Sequence, residues 1–200
     1  VIRALSGALL LSVCSTPRVA HAQQAPTNQI SYDAVMHAPV GSWSDYVMSK
    51  EGEAQTVHVR YTLVERSSKR LVLEIDLLTP MGRMLSSLEF APDGGRWKLV
   101  KARRKMGAEP AKDTPLPEGS DGKGTSFGKG DSFGDELGRG PLTVKAGKFD
   151  ATHYRREANG WATEIWVGDK VQPTGMVQVT DGQGSRIELA ATGKGGKSAF

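Results

Sequence analysis

The chain has 200 residues, a formal charge of +4, 38% hydrophobic and 24% charged residues, and a single cysteine, Cys14. This balance builds one core of ordinary size. It excludes a disulfide framework and, by its weak charge, a nucleic-acid binder.

The N-terminus reads as an export leader. Arg3 precedes an apolar run from Ala4 to Val13, and Val19-Ala20-His21-Ala22 supplies the small residues that signal peptidase accepts, so residues 1–22 are expected to be removed. The apolar run is too short for a membrane span, which needs roughly 20 residues. Cys14 leaves open a lipid anchor, although Val13 stands where a lipidated cysteine usually follows Gly, Ala or Ser. Cleavage near Ala22 would remove Cys14, Arg3 and Arg18, leaving 24 basic against 22 acidic residues in a periplasmic or secreted, thiol-free protein. No later segment is apolar enough to cross a membrane.

Residues 23–40 read as a polar tail and a short helix, with Ser31 as cap and Tyr32, Val35 and Met36 on one side. From Trp43 the period changes to two. Val57, Val59, Tyr61 and Leu63 alternate with polar residues. After a Ser67-Ser68 turn, Leu71, Leu73, Ile75 and Leu77 do the same, predicting a hairpin with one apolar face. Met84, Leu88 and Phe90 continue the pattern, Pro92-Asp93-Gly94-Gly95 turns it, and residues 97–104 form a basic strand. Its lysines read either as guards of an exposed edge or as attraction to anionic headgroups or an acidic partner.

Residues 106–141 are rich in Gly, Pro, Ser and Asp, and are expected to be a flexible insertion within one β domain of residues 41–193. Residues 149–155 and 161–167 then flank an Asn159-Gly160 turn. Val177 and Val179 mark another strand, Ile187 and Leu189 the last, and residues 194–200 are expected to be a disordered tail. The expectation is a mainly β fold of about nine strands. It is a curved antiparallel meander forming a half-barrel or open barrel, with a short N-terminal helix and a long Gly-rich loop.

Catalytic signals are weak. No Gly-x-Ser-x-Gly elbow occurs, and His37, His58 and His153 are not spaced as metal ligands. Gly122-Lys123-Gly124 and Gly128-Lys129-Gly130 lack the strand and helix a phosphate loop needs, and Asp131, Asp135 and Glu136 lack calcium-loop spacing. No cofactor or metal is implied. The aromatic residues Trp43, Tyr46, Tyr61, Trp97, Trp161 and Trp166 fit either a packed core or the apolar lining of a partly filled barrel.

The segments Gly41-Ser42-Trp43-Ser44-Asp45-Tyr46, Ala146-Gly147-Lys148-Phe149, Thr163-Glu164-Ile165-Trp166-Val167, Pro173-Thr174-Gly175-Met176-Val177 and Glu188-Leu189 occur in an order that resembles exported Gram-negative proteins. Those are similar to the LolA/LolB-like superfamily of periplasmic lipoprotein carriers. The resemblance implies a strongly curved sheet whose apolar concave face holds acyl chains. The expected role is a non-enzymatic carrier or binding module for an apolar or acylated ligand, with Val57, Val59, Tyr61, Leu73, Ile75, Trp97 and Trp166 lining or supporting the concavity. Its partners would be a lipid, an acylated protein or an envelope protein. The alternative is a cell-envelope interaction or structural protein with a filled core, and a third reading is an envelope hydrolase using Asp and Glu.

Overall fold

The structure is a computed structural model and describes residues 30–116, 126–158 and 160–200. The expected leader at residues 1–22 with its expected cleavage site, Cys14, the Gly122-Lys123-Gly124 stretch and Asn159 lie outside the described residues.

The chain opens with a six-residue helix, α1 (Tyr32–His37). The Ser31 hydroxyl accepts the Ala34 N–H at 3.3 Å, as the sequence predicts of this cap. Arg66 closes the other end, donating to the carbonyls of Val35 and Met36 at 3.0 and 2.5 Å. A helix this short is marginal by itself. It persists because Ala34 and Val35 are buried and both ends are tied to the sheet.

Antiparallel hairpins follow: β1 (Trp43–Lys50), β2 (Val57–Arg66), β3 (Leu71–Thr79), β4 (Gly82–Asp93) and β5 (Arg96–Met106). Two short strands, β6 (Lys112–Thr114) and β7 (Ser126–Gly128), both pair with β5. The second half is β8 (Asp135–Val144), β9 (Gly147–Ala158), β10 (Trp161–Val167), β11 (Met176–Asp181) and β12 (Ser185–Gly193). Among the described residues these make one sheet, ordered β6-β5-β4-β3-β2-β1-β12-β11-β10-β9-β8 and not closed into a barrel.

The predicted alternation sorts the faces. Ser44, Tyr61, Ile75, Ser86, Arg104 and Lys112 are register partners across β1 to β6 and so share one face. Tyr46, Val59, Leu77, Met84 and Met106 form the next row of that face. This inner face holds two apolar clusters. One joins Tyr46, Val59, Tyr61 and Ile75 to Ile165, Val177 and Leu189 of the second half. The other joins Leu63, Leu73, Phe90, Trp97 and Phe127 to Val35 of the helix.

The sheet bends where β11 and β12 separate, for they pair only from Gln178↔Glu188 to Thr180↔Arg186. The β8–β9 turn fills the gap: the Ala146 N–H donates to the Leu189 carbonyl at 3.1 Å, and the Lys145 N–H to Glu188 Oε1 at 2.8 Å. This brings the two halves onto a common core.

Three expectations change. Residues 106–141 contain β6, β7 and most of β8, so part of the expected flexible insertion is sheet. Gly138, with φ of 143°, sits at the irregular register that lets β8 follow β9. The basic strand β5 is not an open edge, because β6 and β7 cover its far side. Residues 194–200, expected to be disordered, lie on the outer face. There the Ser198 hydroxyl and the Ala199 N–H donate to the buried Glu74 carboxylate at 2.5 and 2.7 Å.

Candidate functional site

Between the start of α1 and the inner faces of the two halves lies a cleft of about 840 Å³. Tyr32 and Asp33 of the helix form one wall, and Phe127 and Gly128 of β7 with Arg96 of β5 form another. The third comes from Thr152, Tyr154 and Arg156, alternate residues of β9 that share a face. Phe133, from the segment before β8, packs against Tyr154 with ring centroids 5.5 Å apart.

The polar rim is largely self-satisfied. Arg96 holds Asp131 bidentately at 2.6 and 2.8 Å, and the Gly128 N–H donates to the same carboxylate at 2.9 Å. The hydrogen bonds from Arg96, above all, keep the Asp131 carboxyl below its ordinary range. Asp169 accepts from Arg139 at 3.1 Å. Arg156 is half-buried in the wall and has no carboxylate partner among the described residues.

The helix wall is fixed from beneath. Gly175, with φ of +80°, lets the loop before β11 pass so close that a Cβ there would stand 2.7 Å from Ser31 Cβ. Only glycine satisfies both the backbone angle and the contact. The Ser31 N–H donates to the Thr174 carbonyl at 2.8 Å. The fully buried Tyr46 hydroxyl bonds Thr174 Oγ1 and donates to the Met176 carbonyl at 2.8 Å, joining β1 to this loop. Burial raises the Tyr46 phenol well above its usual range and pushes Tyr61 up to about 12.

Six of the residues proposed from sequence lie elsewhere on the inner face, whereas Trp166, opposite His153 and Gln178 and alternating with the buried Ile165, lies on the outer face. Val59, Tyr61 and Ile75 are buried in the first cluster, with Trp166 packed against it, and Leu73 and Trp97 are buried in the second. Val57 is partly buried opposite Met48. None of the seven lines the cleft. The cleft's own Phe127 and Phe133 were missed because they stand in the Gly- and Ser-rich stretch. Two phenylalanines six residues apart in so polar a segment were the available signal.

A second, shallower groove of about 450 Å³ includes Asp45, His58, Arg60, Asp76, Leu78 and Arg83 of the outer face. Its arginines are bidentate partners of Asp45 and Asp76, so its charges are satisfied. His37 bonds the Asp33 carbonyl at 2.8 Å, and His153 stacks on Trp166 at 4.3 Å. Nε2 of His153 is 3.3 Å from Glu164, but not in hydrogen-bonding geometry. Among the described residues no three His, Asp or Glu side chains converge to hold a metal, and no helix is long and apolar enough to cross a membrane.

No protein-family model matches the chain, and no curated protein does. Among solved structures it is similar to a hypothetical protein of Chlamydia trachomatis (TM-score 0.45, 11% identity, 84% of this chain and 93% of that one). A proposed lipoprotein of Parabacteroides distasonis gives a TM-score of 0.44 at 14% identity, over 78% of this chain and 96% of the other. A proposed exported protein with a YmcC-like fold from Bacteroides fragilis gives 0.41 at 12% identity, over 78% and 97%.

Proposed function

We propose that the chain is an exported, non-enzymatic binding module for an apolar or acylated ligand, and that the ligand seats in the cleft beside α1. The observation that supports this reading is the cleft itself. Its volume of about 840 Å³ falls in the range of small-molecule sites, and it sets the aromatic rings of Tyr32, Phe127, Phe133 and Tyr154 inside a polar rim whose Arg96 and Asp131 are paired with each other. Ligand burial there, at about 25 cal/mol per Å² of apolar surface, is the driving force. Under this reading Val59, Tyr61, Leu73, Ile75 and Trp97 are the packed floor that holds the cleft open, Val57 borders that floor, and Trp166 supports the sheet from its outer face. Export rests on the leader at residues 1–22, and mass spectrometry of the secreted protein tests it: the N-terminus is expected near Gln23.

The binding test is native mass spectrometry of protein purified from the periplasm, followed by titration with a fluorescent fatty acid. Thr152→Trp, which places an indole in the cleft, is expected to weaken binding at least tenfold with folding intact. Absence of both co-purified lipid and saturable binding removes this reading. The packed clusters of the inner face would then favour the alternative, an envelope interaction protein, which pull-down from envelope extracts examines.

A further inference from the structure

Most of the described arginines are paired. Arg60, Arg70, Arg83, Arg96, Arg103, Arg139, Arg155 and Arg186 each have a carboxylate within 4.0 Å. Arg66 caps α1. That leaves Arg156, in the cleft wall, and Arg104. Arg104 reaches the inner face because Val100 is an extra residue in β5: Glu89 pairs with Lys101 but Phe90 with Leu99. Trp97 and Leu99 therefore share the inner face with Ala102, Arg104 and Met106.

Arg104 is partly buried, and its Nε is shielded from solvent with no hydrogen-bond partner. Its cross-strand neighbours are Ser86 on β4 and Lys112 on β6, and the flanking rows are Leu73-Leu88-Ala102-Thr114 and Leu77-Met84-Met106. No acidic residue occurs in these three rows. Lys112 is itself paired with Glu109 at 3.2 Å. A guanidinium donor shielded from water and unpaired is costly, and its planar fork matches a carboxylate or phosphate.

We infer that Arg104, with Ser86 and Lys112, binds the anionic group of an acidic acyl lipid whose chain lies along Leu77, Met84 and Leu88. The site is separate from the cleft and goes beyond the function proposed above: it can hold when Thr152→Trp has no effect, and fail when that variant abolishes binding.

The experiment titrates the full chain with oleate, with monoolein as a chain without charge and inorganic phosphate as a charge without a chain. Arg104→Gln is expected to weaken oleate about tenfold or more, since hydrogen bonds between charged groups are lost. Monoolein is unchanged, and Arg104→Lys recovers part of the oleate affinity. Arg104→Met is expected to raise the Tm of the lipid-free protein by removing an unpaired cation, whereas a structural arginine would lower it. Unchanged oleate binding in Arg104→Gln, no recovery in Arg104→Lys, or phosphate competing as well as oleate overturns the inference.

Discussion

Replacing Gly175 by alanine tests whether the helix wall of the cleft is held by close packing. Two costs are separable. An alanine at φ of +80° suffers the left-handed penalty, about 1–2 kcal/mol. Its Cβ would also stand 2.7 Å from Ser31 Cβ and 3.2 Å from Ala34 Cβ, inside contact distance, and overpacking of this kind costs about 1–3 kcal/mol. Gly52 is an internal control, because it has nearly the same φ, +79°, and nothing within 4 Å of a built Cβ. Gly52→Ala should therefore lose about 1 kcal/mol and Gly175→Ala about 2–4 kcal/mol. The difference, near 2 kcal/mol, corresponds to roughly 4–8 °C in Tm for a domain of this size. Urea denaturation of both variants, with fatty-acid titration of Gly175→Ala, reads the outcome. Equal losses in the two variants would mean that α1 is not seated on Gly175, and the account of the cleft wall would fall with it.

Tyr46→Phe removes the bonds to Thr174 and the Met176 carbonyl without changing shape, and should cost about 1–3 kcal/mol in chemical denaturation; a change under about 0.5 kcal/mol would show the hydroxyl to be idle. The raised phenols predict alkaline sensitivity. With folded values above the ordinary value of about 10, their contribution is complete below pH 10 and is lost as pH rises from there towards 12. Absorbance at 295 nm should therefore show two tyrosines ionising only as near-UV dichroism disappears, and ionisation with the fold intact would contradict their burial. Asp131 behaves oppositely: its lowered value means that its contribution is present above the usual carboxylate range and is lost as pH falls through the depressed value. Arg96→Gln should return the Asp131 carboxyl titration, followed by NMR, to the ordinary range.

Much of the first half was legible because its strands obey a period of two. Val59, Tyr61, Leu73 and Ile75 were placed on one face, and all four are buried. The cap at Ser31 was equally legible, since a hydroxyl before a helical pattern has one local use. What stayed hidden depends on pairing across long sequence distances. The strands β6 and β7 have three residues each and almost no apolar pattern; they exist because β5 supplies their hydrogen bonds. The tail at residues 194–200 looks soluble and unstructured, yet Glu74, buried on the outer face, accepts its Ser198 hydroxyl and Ala199 N–H. The cleft residues Phe127 and Arg156 lie about thirty positions apart in segments that share no local signal.

The same physics explains why Arg104 could not be assigned a face from sequence. Strict alternation from Trp97 sends Lys98, Val100, Ala102 and Arg104 together to the outer face and Lys101 and Arg103 inward. The extra residue Val100 reverses the parity, so that Lys101 and Arg103 take the outer positions and Ala102 and Arg104 turn inward. A single inserted residue thus turns Arg104 inward, between rows that hold Leu88 and Met84 and beside Ser86 and Lys112. Deleting Val100 should remove the bulge and leave Leu99 opposite Phe90 and Lys101 opposite Glu89 in regular alternation, so that Arg104 still faces inward and the pairing of β5 with β6 is unchanged. That deletion should therefore keep the oleate affinity that Arg104→Gln loses, with the β6 amides protected from exchange in both variants. Loss of oleate affinity on deleting Val100, with β6 still protected, would refute the guanidinium's inward position as the basis of binding.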